Sequence, residues 1–172
     1  MVSAWSDCLS QLQLHHVKEP KGRYVNSEDR SDIVVFDSAL GVDLELDIAI
    51  AHPWSNEIEG LSATIQRAVA TRRENLKIKK YDQELLPGGF RPTFVPIVLE
   101  HFGCWGEKAE DYLKKLSQLS RDEDGKPFAS TFKTYWRSVF SVCLQRSNAR
   151  VIDRKIKKIV SRDSHININS CK

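Results

Sequence analysis

Asp43, Glu45 and Asp47 alternate with Val42, Leu44, Leu46, Ile48 and Ile50 in the clearest period-two segment of the chain. Side chains alternate across a strand, so the apolar residues share one face and the three acids the other. Neighbours on one strand face stand roughly 6–7 Å apart, and carboxylates so placed can share one or two divalent cations through oxygen ligands. Cations held in this way serve metal-assisted phosphodiester cleavage. The same alternation also describes an antiparallel strand with its polar face in water, so the surrounding elements decide between the two.

Those elements belong to an ordinary folded domain. The chain has 172 residues, 41% of them hydrophobic and 28% charged, a balance that fits one domain with a normal core and argues against disorder. No apolar run approaches the roughly 18–20 residues that span a bilayer, and Met1 to Asp7 lacks the charged start and apolar middle of a signal peptide. An intracellular location, the nucleus included, is therefore expected. Cys8, Cys104, Cys143 and Cys171 are scattered, without a CxxC pair, and read as reduced thiols. His15 and His16 lack the further ligands that a zinc site needs. The net charge of +3 is small, but Arg146, Arg150, Arg154, Lys155, Lys157, Lys158 and Arg162 face a single acid, Asp153, near the C-terminus. Such a cluster could meet phosphates or form a solvated helix face.

In chain order, residues 1–29 read as a polar lead-in with turns at Pro20 and Gly22. The apolar, β-branched Ile33–Phe36 reads as a short strand, with Asp32 at its entrance, turning at Gly41 into the acidic strand as an antiparallel hairpin. His52–Pro53 ends that strand, and Ser55 or Asn56 could cap a helix from about Leu61 to Tyr81 whose stripe is Ile65, Val69, Arg72, Leu76 and Lys79. Thr93–Glu100 reads as a further strand, pushed to an edge or bulge by Pro96. Helices are expected over Glu107–Leu119, Ala129–Arg146 and Asn148 to about Val160, with an exposed loop at 122–127. The fold class is α/β: a small mixed sheet flanked by helices, followed by a C-terminal helical segment.

The order Arg30-Ser31-Asp32-Ile33-Val34-Val35, then Leu46-Asp47-Ile48-Ala49-Ile50-Ala51-His52-Pro53, then a helix ending in Lys77-Ile78-Lys79-Lys80-Tyr81 resembles the restriction-like endonuclease domain that follows the reverse transcriptase of some non-LTR retrotransposons, a branch of the PD-(D/E)xK nuclease superfamily. Phe94-Val95-Pro96 and Glu100-His101-Phe102-Gly103-Cys104-Trp105-Gly106 extend the resemblance, which covers about residues 30 to 160. Two positions depart from the pattern. Ser31 stands where the family has the proline of its PD, and Ala49 stands where D-x-K would put its lysine.

The resemblance implies a single nuclease-like domain at 30–162 with a flexible tail at 163–172, and an activity that hydrolyses phosphodiester bonds in DNA. It implies Asp32 and Asp47, helped by Glu45 or Asp43, as ligands of Mg²⁺ or Mn²⁺. The catalytic lysine would come from the following helix, with Lys80 as first choice and Lys77 and Lys79 in reserve. Arg150, Arg154, Lys155, Lys157 and Lys158 would grip the DNA backbone. The competing expectation is a nucleic-acid-binding or interaction module without catalysis on the same fold.

Overall fold

Four strands form one mixed sheet whose order follows the sequence, β1-β2-β3-β4. The structure is a computed structural model that describes residues 1–25, 27–36, 43–52 and 65–169, with residues 162–169 as backbone only. Its elements are α1 (Val2–Gln11), β1 (His15–Lys18), β2 (Ile33–Phe36), β3 (Leu44–Ala51), α2 (Ala68–Tyr81), β4 (Thr93–Glu100), α3 (Glu107–Leu119) and α4 (Ala129–Asn169). β1 and β2, and then β2 and β3, pair antiparallel, with Ile33 opposite Leu46 and Val34 opposite Glu45. β3 and β4 run parallel, with Asp47 opposite Pro96, and α2 forms the crossover that parallel neighbours require. Among the described strands β4 is at the edge, where a proline costs the ladder nothing. The chain is thus an α/β domain, as the sequence indicates; the turn at Gly41 and the cap at Ser55 or Asn56 fall outside the described residues.

The two faces of the sheet are covered unequally. On one lies the main core, where Leu46, Ile97 and Leu99 meet Trp5 of α1, Leu113 of α3 and Phe140 of α4. Trp5 stacks on Phe140 with ring centroids 4.3 Å apart. On the other lies α2, over a smaller cluster of Ala51, Val69, Ala70 and Val98. The acids of β3 point to this second face.

Four expectations change. Residues 1–29 are no irregular lead-in: they contain α1 and β1, and Trp5, Cys8 and Leu9 are fully buried. β3 has no open polar face in its first half, because Leu44, Glu45 and Leu46 are all buried. The inward stripe of α2 is Ala70, Glu74, Lys77 and Tyr81 at 4-3-4 spacing, whereas Ile65, Arg72, Leu76 and Lys79 are exposed. The two expected C-terminal helices are one helix of 41 residues that runs through the supposed tail to Asn169. Nothing between Arg146 and Asn148 breaks it, since neither proline nor glycine is present, and the Asn148 side chain turns inward to donate to the His101 carbonyl at 2.9 Å.

Two carboxylates fix α2 against its neighbours. Glu100, at the end of β4, accepts the Ala70 N–H at 3.1 Å in the first turn of α2, and Glu74 of α2 accepts the Lys108 N–H at 3.0 Å in the first turn of α3. Both acids satisfy amides left open at helix starts and suit the helix dipole. Burial raises the Glu74 carboxyl above its ordinary range, and the Lys108 N–H opposes that rise. Gly106 leaves the room this capping needs, because a Cβ there would stand 2.1 Å from Glu74 Oε1 and 3.0 Å from the Val98 carbonyl. Gly106→Ala is expected to displace the cap and cost about 1–3 kcal/mol. Calorimetry would read this as a fall in melting temperature, and an unchanged value would show that Glu74 is dispensable as a cap.

Candidate active site

Asp32 and Asp47 arrive from adjacent strands. The Asp32 N–H donates to the Leu46 carbonyl at 2.9 Å, which seats the entrance of β2 against β3. Its carboxylate Oδ2 accepts the Ile48 N–H at 2.6 Å. Asp47 lies on the α2 side of β3, where Lys77 Nζ donates to its Oδ2 at 2.5 Å, and both side chains are largely buried, 13% exposed for the lysine and 15% for the acid. Lys77 reaches this position because it belongs to the inward stripe that Glu100 fixes at its start, Glu74 in its middle and Tyr81 at its end.

Burial pushes the Asp32 carboxyl above the ordinary range of an aspartate, and the charge and hydrogen bonding of Asp47 push it the same way, while the Ile48 N–H and the Lys77 charge act against them. Two neighbouring carboxylates with one ammonium, bound to Asp47, form a site short of positive charge. Tyr81 closes its lower end. It stacks on Phe94 with centroids 4.1 Å apart, its hydroxyl donates to the Arg30 carbonyl at 2.9 Å, and burial followed by the Asp47 charge raises its pKa.

The remaining expected residues have other partners. Lys80 Nζ donates to Asp29 at 2.8 Å on the exposed surface, so the structure brings Lys77 and not Lys80 to the Asp32–Asp47 pair. Glu45 shares the strand face with Asp47 but is 1% exposed and enclosed by donors: Arg23 Nε, the Tyr24 hydroxyl at 3.2 Å and the Ser31 hydroxyl at 2.5 Å. Ser31 therefore supplies a donor that a proline could not. Arg150, Arg154, Lys155, Lys157 and Lys158 lie on an exposed stretch of α4, where Lys157 pairs with Asp153 at 2.8 Å. Exposed Ile152, Ile156 and Ile159 lie on the same stretch.

A metal has to fit what remains. Among the described residues no three His, Cys, Asp or Glu side chains form a group that could hold a metal ion. Two carboxylates suit Mg²⁺, which keeps several waters and takes the rest of its ligands from a phosphate substrate. The Ile48 N–H anchors Asp32 and the Lys77 ammonium anchors Asp47, so these two carboxylates are the groups that would hold the cation.

Among known proteins, no family model matches the chain and no curated protein matches it. No helix among the described residues is long and apolar enough to cross a membrane.

Proposed function

We propose that this domain is a metal-dependent, restriction-like endonuclease that hydrolyses phosphodiester bonds in DNA, of the kind joined to retroelement reverse transcriptases. The observation that carries the reading is the Lys77–Asp47 contact beside Asp32, which gathers an acid from each of two strands and a lysine from the crossover helix. The mixed sheet with helices on both faces and the order of the three residues along the chain support it as well.

Asp32 and Asp47 would hold Mg²⁺ or Mn²⁺, which when bound supplies an activated water and neutralises charge on the scissile phosphate. Lys77 is the residue of this chain that acts on the substrate. Its ammonium, held by α2 in a largely buried position, orients the attacking water and stabilises negative charge that grows on the phosphate oxygens. Ile48 N–H keeps Asp32 in place, and Tyr81 holds the Arg30–Asp32 segment against α2. The basic stretch of α4 gives backbone affinity without base readout.

The test is nicking of supercoiled plasmid with and without Mg²⁺ or Mn²⁺. Asp47→Ala is expected to abolish it, Lys77→Ala to lower it by about 10²–10³-fold, and Lys80→Ala to leave it within a few-fold. Metal-independent nicking, or nicking that survives Asp47→Ala, would remove the assignment. A well-folded chain that binds DNA with strong salt dependence but does not nick would be the non-catalytic module that the exposed basic helix also supports.

A further inference from the structure

β2 pairs with β3 only as far as Leu46. From Asp47 onward the described residues of β3 have β4 on one side and no strand on the other, and the Asp32 carboxylate takes the Ile48 N–H where β2 leaves off. Beyond this point α2 and the end of β3 enclose a cavity of about 400 Å³ between Ile50–His52 and Val69, Arg72, Arg73 and Leu76. Arg73 stands one helical turn before Lys77, so their Cβ atoms are about 5–6 Å apart. The cavity therefore lies one helical turn along α2 from the candidate active site, and among the described residues no acid lines it.

Past His52, at the rim of the cavity, stand imidazole and basic groups that come from separate elements. His52 follows β3 and His101 follows β4, and because the strands are parallel both rings emerge at the same end of the sheet, with centroids 4.5 Å apart. Among the described residues His101 Nδ1 is buried without a hydrogen-bond partner. Lys155 of α4 is close enough for its charge to act on His101. Glu100, the nearest acid in sequence, is engaged by the Ala70 N–H. Ligands of open α/β sheets commonly sit outside the carboxyl ends of parallel strands, and a patch of arginine, imidazole and lysine suits a phosphate.

We infer that the cavity between β3 and α2 is a phosphodiester-binding groove in which Arg73 and His52 hold the nucleic-acid backbone beyond the scissile phosphate and pass it, by way of His101 at the rim, to Lys155 on α4. This rests on the nuclease reading for the identity of the strand. His52 is five positions on from Asp47, roughly 16 Å along a strand, or about five steps along a duplex axis at 3.4 Å per nucleotide. The groove thus ties the catalytic pair to the basic helix, which none of the contacts at Asp32 and Asp47 does.

The test is fluorescence anisotropy of the full chain with a labelled 20-base-pair duplex in EDTA, where binding is read without cleavage. The double variant Arg73→Gln/His52→Ala is expected to weaken binding by about 10-fold and to lower the salt slope by about one. Arg73→Lys restores most of the affinity, and Lys126→Gln, in the exposed 122–127 loop, leaves it unchanged. Both altered side chains are on the surface, and circular dichroism checks that the fold is kept. Equal affinity and equal salt slope in the double variant would overturn the groove. In a second arm, inorganic phosphate is titrated while the histidine ring protons are followed by NMR. His101 shifts that appear in the native chain only at high phosphate concentration, and are absent from the double variant, support a backbone site. Tight binding of phosphate alone, with duplex affinity unaffected by the variant, would assign the cavity to a small phosphorylated ligand and overturn the proposal. Absence of metal-dependent nicking with these binding effects intact would defeat the nuclease reading and leave the groove standing.

Discussion

Glu45→Ala should be the most destabilising single substitution in the sheet, lowering stability by about 3–5 kcal/mol. The change removes the acceptor for three donors at once, and it leaves the Arg23 guanidinium, itself only 20% exposed, without its closest counter-charge. Removing one partner of a buried pair costs more than the pair contributes, because the remaining charge stays desolvated. For a chain of this length each kcal/mol moves the melting temperature by about 2–4 °C, so thermal unfolding should shift down by roughly 10 °C. Glu45→Gln retains an acceptor for Tyr24 or Ser31 and should lose less. If Glu45 were instead a cation ligand, the alanine variant would keep its melting temperature without metal and lose only the response to Mg²⁺. The two roles that the acidic strand suggests are therefore separated by one calorimetric comparison.

That comparison also marks what sequence can and cannot say. A period-two pattern tells which residues share a face of β3, and Glu45 and Asp47 do share one; it does not tell what covers the face. Arg23 and Tyr24, more than twenty residues away, enclose Glu45, whereas Lys77 reaches Asp47 from the crossover helix. Only the fold distributes those partners. The helix itself misleads for a related reason. Its inward stripe contains Glu74 and Lys77, which face inward because one caps α3 and the other meets Asp47, so the apolar period settles one position out of phase on Ile65 and Leu76. Local signals succeed where burial alone sets the residues: β4 and α3 have the bounds that their composition predicts. A legible signal existed for α1 too, since Trp5, Cys8, Leu9 and Leu12 follow helical spacing, although its many polar residues and the turns after it favour an irregular reading.

The site is consequently a product of anchoring at a distance. Glu100 holds the start of α2, Glu74 holds its middle against α3, and Tyr81 ties its end to the Arg30 carbonyl. Lys77 lies between the last two of these ties. Its position owes more to helix capping than to anything in its own sequence neighbourhood, which explains why Lys80, next to Tyr81 and equally basic, looks the better choice until the helix is placed. In the fold Lys80 leaves the helix on the side of Asp29, with its ammonium 5.5 Å from the Tyr81 ring centroid.

Asp32→Asn should separate function from stability in opposite directions. The native carboxyl is pushed up by burial and by the adjacent Asp47, so the folded state binds its proton more tightly than the unfolded chain does. Stability is then greatest in acid, falls as pH rises from the ordinary aspartate range through the raised folded value, and stays reduced at neutral pH. Asparagine is neutral throughout. Its carbonyl oxygen can still accept the Ile48 N–H, and its amide can donate to Asp47, so the like-charge conflict is replaced by a hydrogen bond. The variant should melt about 2–4 °C higher than the native chain at pH 7, equivalent to a gain of about 1 kcal/mol typical of relieved functional sites, and the difference should vanish as the pH drops below the aspartate range. Mg²⁺ should stabilise the native chain by occupying the pair, an effect that asparagine removes along with at least about 10³-fold of any cleavage. A lower melting temperature at pH 7 would show instead that Asp32 is a structural acceptor whose charge the fold needs, and would take the metal site with it.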